Sequence, residues 1–307
     1  MATNSSQINV TDLDFDSIAD NLKGYLKGQS QFKDYDFEGS NMSVLIDLLA
    51  YASHIGAVNT NIAASELFLD SAQMRKNVVS RAKDLGFIPA SESASEATID
   101  VACSNVRNAD GTFPTTAEMQ LLRGTIFQTV YDGTNFDYVV TSTVRPSQNG
   151  TTYNYTDVNL VQGTYATDVY VFDSQIANPK FVLSNARVDK SRISVTVNSN
   201  GTVSNYALST NISSITTTSK VYYTQENEEG FIELYFGDGV LGNKLLDGDT
   251  VNVTYIVVDE NHADGAKLFS MVGSINGFTD IATTRVVAST GGAEKESIDS
   301  IKFKATK

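Results

Sequence analysis

Apolar residues recur every three to four positions over about 12–90, and every second position over about 97–290. The first spacing follows one face of a helix and the second one face of a strand, so a helical part followed by a strand-and-turn part is expected. A first helix is predicted from near Asp14 to about Lys27, with Phe15, Ile18, Leu22 and Tyr25 or Leu26 on one stripe. Asp14 and Asp16 suit its positive end, Lys23 and Lys27 its negative end, and Gly28 can stop it. A second helix is predicted from about Asn41 to Leu69, with the stripe Leu45, Leu48, Leu49, Ala52, Ile55, Gly56, Asn59, Ile62 and Ala63. About 28 helical residues span about 42 Å, more than a usual globular helix. Gly56 costs about 1 kcal/mol of helix propensity against Ala. Close approach of another helix over Ala52 and Gly56 would offset that cost. Most of the stripe is expected to be the core of a helical domain, with the excess length left for a partner. A third helix is predicted at about Ala72–Leu85, with Met74, Val78, Ala82 and Leu85 inward. Asp70 and Gln73 have capping-box spacing, Gly86-Phe87 fits a left-handed cap, and Pro89 ends the helix.

Ser91–Glu96 is small and polar and reads as a linker or boundary. Beyond it, alternation marks strands at Thr98–Cys103, Ile126–Tyr131, Val169–Phe172, Ile193–Val197 and Val251–Val257. Asp110-Gly111, Asp132-Gly133, Asn149-Gly150, Asn200-Gly201, Asp247-Gly248 and Asn276-Gly277 punctuate them. Such pairs reach positive φ at little cost and favour tight hairpins. The fold class expected is α+β and multidomain: an N-terminal helical domain, then antiparallel β-rich sandwiches or partial barrels. The expected divisions are a helical domain at 1–92, a β-rich region at 93–290 with subdomains near 93–220 and 221–290, and a helix starting within 291–307. Within the β region, Ile232, Leu234 and Phe236 alternate, Gly237, Asp238, Gly239 and Gly242 make a glycine-rich reversal, and Val251–Val257 returns. This reads as a hairpin with a backbone-dense tip and no reactive group.

Composition narrows the function. The 307 residues are 41% hydrophobic and 19% charged, with a formal net charge of −14. Scattered acid argues against wrapping nucleic acid or lying on an anionic membrane. Cys103 is the single cysteine, which excludes an intrachain disulfide and suits a reducing compartment. The polar start lacks a signal-peptide pattern. No continuous apolar stretch approaching about 18 residues stands out, so no membrane helix is expected. Reactive groups do not converge. His54 lies on the long predicted helix and His262 in an acidic loop. No nucleophile elbow, Walker loop, dinucleotide fingerprint or His-Glu-x-x-His pair occurs. Gly239–Lys244 lacks the Gly-Lys-Ser/Thr ending of a phosphate loop. Cys103 has no basic neighbour in its strand and reads as a small buried residue. Asp259-x-Asn261-x-Ala263-Asp264-Gly265 matches a calcium loop only in part. Asp238, Asp247 and Asp249 read as turn formers. No catalytic residue, cofactor or metal is therefore expected.

Several ordered segments carry a family resemblance. Ile232-Glu-Leu-Tyr-Phe-Gly-Asp-Gly-Val-Leu-Gly-Asn-Lys-Leu245, then Gly248–Tyr255, then Gly291-Gly-Ala-Glu-Lys-Glu-Ser297 resemble the signature of the baseplate J-like family. Phe15 to Leu22, Leu45–Tyr51, Asn59 to Glu66 and Arg75 to Pro89 are similar to the large wedge subunits of contractile-tailed, T-even-like phages. About 105–220 carries the resemblance least. It implies a non-enzymatic scaffold that joins wedges into a ring around the tail hub and supports sheath assembly and contraction. The implied partners are other baseplate wedge proteins, further copies of the chain and a sheath-initiating protein, without nucleic acid or membrane. The implied place is the virion tail baseplate, assembled in the bacterial cytoplasm. Family members continue beyond the helical pattern that starts near Ile298, so a longer product is expected. The interface candidates are Leu45, Leu48, Leu49, Ala52, Ile55 and Gly56 on the helix, and Gly237, Asp238, Gly239 and Gly242 at the tip. Two other readings compete. A host-recognition fibre or adhesin would suit the Ser/Thr/Asn-rich middle, although the chain has no Trp for sugar stacking. A glycan hydrolase would need Asp238 and Asp249 as paired acids.

Overall fold

The computed structural model describes residues 14–31, 41–176, 179–209, 214–227, 229–259 and 262–307. Contacts divide the chain into two compact units, Met1–Ile88 with Ser297–Lys307, and Pro89–Glu296. The fold is α+β, with helices first and antiparallel-rich sheets after.

The helical unit contains α1 (Phe15–Lys27), α2 (Asn41–Glu66), α3 (Arg75–Asp84) and α4 (Ile298–Ala305). α1 packs on α2 through Ala19, Ile46 and Ala50, with Phe15, Ile18, Leu22, Leu26 and Met42 around them. α3 packs with α4 through Ala72, Val78, Val79, Ala82 and Ile301. The last helix of the chain thus completes a core begun by the third, and Ser297 caps it by accepting from the Ser300 amide. The predicted Asp70–Gln73 capping box does not form, and α3 starts at Arg75. The Glu66 carboxylate, at the end of α2, accepts from the amides of Gln73 (2.8 Å) and Met74 (3.3 Å) and from Asn77 Nδ2 (2.7 Å). At the other end of α3 the expected left-handed cap is present. Gly86 has φ +82°, and the Phe87 amide donates to Ala82 O.

The second unit carries β1 (Glu96–Cys103), β2 (Ile126–Tyr131), β3 (Thr134–Val140), β4 (Ser147–Asn149), β5 (Thr152–Gln162), β6 (Thr164–Val171) and β7 (Phe181–Val182). They are followed by β8 (Ser194–Ser199), β9 (Thr202–Leu208), β10 (Val221–Glu226), β11 (Ile232–Phe236), β12 (Thr250–Val257), β13 (Ser270–Met271) and β14 (Ile281–Thr290). One curled sheet has the order β13-β2-β3-β5-β1-β14, with β4 beside β5, and the other β6-β12-β8-β9-β10-β11-β7. Among the described residues every ladder between two strands is antiparallel except β9 with β10. The second sheet is an insertion between β5 and β13, so the strands do not divide near residue 221. Asp132-Gly133, Asn200-Gly201 and Asn276-Gly277 have positive φ at both residues, the backbone of a type I′ turn.

The chain passes between sheets at Gly163, which has φ +114°. A Cβ there would lie 2.2 Å from the Val257 carbonyl oxygen, so only glycine lets β5 run into β6. Each sheet closes on its own core. Ile99, Phe127, Tyr138, Tyr153 and Tyr155 fill the first, and Val195, Tyr222, Leu234, Val253 and Tyr255 the second. The buried tyrosines keep their hydroxyls bonded: Tyr138 to Ser289 Oγ at 2.6 Å and Tyr155 to Met119 O at 2.5 Å. The Ser91–Glu96 stretch, read as a linker or boundary, lies just after the division between the units at Ile88 and Pro89 and is packed within the second unit. Ser93 pairs with Ala293, the Ala94 amide donates to buried Asp189, and Glu92 meets Arg187 at 3.2 Å.

Two candidate interaction surfaces

Among the described residues, most of the α2 stripe, expected mainly as core, is exposed. Only Ile46 and Ala50 of the helix are buried. Leu45, Leu48, Leu49, Ile55 and Ile62 are 53%, 62%, 57%, 41% and 48% exposed. Length explains the difference: α1 has 13 residues against 26 in α2, and it covers only the Met42–Ile46–Ala50 face. Ala52 is exposed, and a Cβ added at Gly56 would meet nothing within 4 Å. The close approach expected at Gly56 is therefore not made among the described residues. α2 is apolar around most of its circumference, which is the pattern of a helix buried on all sides. By length and composition it could also cross a membrane, contrary to expectation. Residues 48–65 carry no Asp, Glu, Lys or Arg, but Ser53, His54, Asn59, Thr60, Asn61 and Ser65 interrupt them. Those polar groups favour packing against other helices over lipid.

The 237–249 segment corrects the hairpin expectation. β11 pairs with β10 and β7, while β12 pairs with β6 and β8. The segment is thus a crossover that carries the chain past β10, β9 and β8. Strand alternation alone cannot distinguish a hairpin from two separated strands. The turn itself is built from backbone. Asp238 Oδ1 accepts from the amides of Val240 (2.8 Å) and Leu241 (2.9 Å), which hold its carboxyl below the usual aspartate range. Gly239 N donates to Gly242 O, and Gly237 bridges to Lys244. Gly242 N donates to Thr216 O at 3.2 Å, Asn243 N to Ser219 O at 2.8 Å, and Asn243 Nδ2 to Tyr206 Oη at 2.8 Å. Val240, Leu241 and Leu246 remain exposed on the loop.

The other candidates do not meet. Asp249 is 5% exposed and accepts from the Leu246 amide at 2.8 Å. With Asp238 also bonded to backbone, the two are occupied as turn formers. Asp238 is held ionised, the opposite of what a general acid needs. Cys103 is fully buried, and burial pushes its thiol pKa up. His54 is half-buried on α2. Both ring nitrogens of His262 are buried without a hydrogen-bond partner. In the partial calcium loop, Asp259 accepts from Gln162 at 3.3 Å and Asp264 from the Gly292 amide at 3.1 Å, while Asn261 lies outside the described residues. Among the described residues no three His, Cys, Asp or Glu side chains are placed to hold a metal. Thr216, Ser219 and Tyr206, which anchor the loop, had no local sequence signal because each reaches it from elsewhere in the chain.

Both units have relatives. Residues 14–87 match the family described as baseplate wedge protein gp6-like, helical domain. Residues 168–267 match the family described as bacteriophage baseplate wedge protein gp6, third domain. The chain is 26% identical over 313 aligned residues to the baseplate wedge protein gp6 of Enterobacteria phage T4. The alignment covers 94% of the chain and 46% of that protein, so the chain spans less than half the length of this curated relative.

Proposed function

We propose that this chain is a structural subunit of a phage tail baseplate wedge. In this reading it acts through protein–protein contacts, with α2 as a bundle-forming helix. The observation that carries the reading is the exposed apolar stripe of α2, inside a segment that matches a wedge-protein helical domain. A stripe of this size left in water on a soluble monomer marks an interaction site. The partners that fit it are helices of other wedge proteins and further copies of the chain. A sheath-initiating protein, membership of the baseplate J-like family and residence in the virion tail belong to the same proposal. The loop at Gly237–Gly242 serves first as a crossover support and second, through Val240 and Leu241, as a docking edge. The scaffold reading also accounts for the aspartates, which are committed to turns.

The test is co-expression with the neighbouring wedge gene products, followed by size-exclusion chromatography. The wild type should co-elute with them. The Leu48→Glu/Leu49→Glu double variant should keep its helical signal and stability, because both side chains are exposed, yet elute alone. Co-elution of the variant at wild-type yield would overturn the role given to α2.

A further inference from the structure

We infer that the edge of β14 is a second docking site, which takes an extended, acidic peptide segment as an added strand. The site is independent of α2 and of the wedge reading. The first sheet ends at β13 and β14, and no ladder joins these two strands. β13 has two residues and β14 ten, so β13 cannot cover the longer strand. The 265–269 segment meets β14 only at its ends. Gly265 N donates to Ser289 O at 2.6 Å, Ser289 N to Ala266 O at 3.0 Å, and Thr283 Oγ1 to Phe269 O at 2.5 Å. Beside these contacts lies a groove of about 600 Å³, lined by Ile99, Lys267, Leu268, Phe269, Thr283, Thr284 and Arg285.

The lining selects the occupant. Ile99 and Phe269 belong to the first sheet's core, while Leu268 is 84% exposed at the rim. Val286 and Val287 continue an exposed apolar surface along β14. The groove's charged residues are Lys267 and Arg285, both cations, and among the described residues no ion pair involves either. This is a local positive site on a chain of net charge −14. A long edge strand is normally guarded by proline, by a bulge or by several charges. The stretch Ile281–Thr290 has no proline and one charge, Arg285, and its register irregularities fall between Arg285 and Thr290, so the regular, open part of the edge is Ile281–Arg285. Added strands bind through the backbone and are selected by alternate side chains. Acidic residues at every second position would meet Lys267 and Arg285, with apolar residues between them on the rim. Nucleic acid has no peptide backbone to pair with the strand edge, so the ladder selects a peptide.

The probe is a fluorescein-labelled, end-blocked peptide of about eight alternating Glu and Val residues, the length of an ordinary strand. Fluorescence anisotropy with the full chain should show saturable binding that weakens as salt rises. The Lys267→Glu/Arg285→Glu variant should bind about tenfold more weakly, because two screened attractions become repulsions. Its circular dichroism and melting should stay unchanged. A peptide of the same charge with Pro replacing Val, which cannot donate to a ladder, should not bind. Four outcomes would overturn the inference: equal binding to the variant, equal binding of the Pro peptide, equal binding of a Lys-Val peptide, or tighter binding of a short oligothymidylate.

Discussion

Adding one methyl group at Gly237 would place a Cβ 2.3 Å from the Gly242 carbonyl carbon, 2.5 Å from its oxygen and 2.7 Å from its Cα. All three atoms are backbone, so no side chain can rotate away. Gly242 is also held by its bond to Thr216 O, and its neighbour Asn243 by its bond to Ser219 O. Relief therefore requires the crossover to shift against the second sheet. Forced overpacking of this kind costs about 1–3 kcal/mol. In a unit of this size that corresponds to a fall in Tm of about 2–12 °C. Two controls separate the causes. Gly239 has φ +93° but its nearest contact would be Lys244 Cβ at 3.7 Å, so Gly239→Ala carries only the left-handed penalty of about 1–2 kcal/mol. Gly242 combines φ +95° with a 2.9 Å approach to Val221 Cγ2, so Gly242→Ala should cost more than Gly239→Ala. The assay is thermal melting followed by near-ultraviolet circular dichroism. The chain has no Trp, so that signal reports buried tyrosines, among them Tyr206, Tyr222 and Tyr255 in the second core. If Gly237→Ala melts with the wild type, the segment is a loose loop and the close-packed crossover is wrong.

Ile46 is 1% exposed between α1 and α2, so Ile46→Ala should cost the helical unit about 2–5 kcal/mol and lower its far-ultraviolet melting transition. Glu66→Ala removes the cap on α3 and should cost about 0.5–2 kcal/mol at neutral pH, read from the same transition. The Glu66 carboxylate also sets a pH dependence. Burial pushes its pKa up, but the bonds from Asn77 and the Gln73 and Met74 amides outweigh burial and hold it below the ordinary glutamate value. A depressed folded pKa gives stability that is present above the unfolded pKa and lost as pH falls through the folded one. The helical unit should therefore lose stability on acidification below the ordinary glutamate range, and Glu66→Gln should flatten that loss.

Much of the architecture was legible as pattern. The helical part, the β-rich part and the strands at Thr98–Cys103 and Ile126–Tyr131 follow from periods that short-range sterics impose. The paired positive φ at Asn200-Gly201 and the left-handed cap at Gly86 follow from residue type. Asp238 was legible as a turn former for the same reason, since an aspartate side chain reaches amides two and three residues ahead. Three expectations that needed a partner in space did not hold. The α2 stripe looked like core because its period is helical, but period does not say which face a shorter α1 will cover. β11 and β12 looked like a hairpin because they alternate on either side of a turn, but strand order is chosen by long-range pairing. The capping box at Asp70 lost to Glu66 because a carboxylate carried in by α2 already satisfied the amides.

By itself, then, the sequence determined the local states of the chain: where it is helical, where extended, where it must turn, and which segments resemble wedge proteins. Tertiary structure alone decided that the second sheet is inserted into the first, that Gly163 and Gly237 are required by backbone approaches of 2.2 and 2.3 Å, that β14 ends the first sheet, and that most of the apolar face of α2 is exposed among the described residues. The physical reason is one of range. Dihedral preference and side-chain period act over a few residues, whereas burial and strand pairing depend on atoms far apart in sequence, and those atoms determine which apolar surface stays free for another protein.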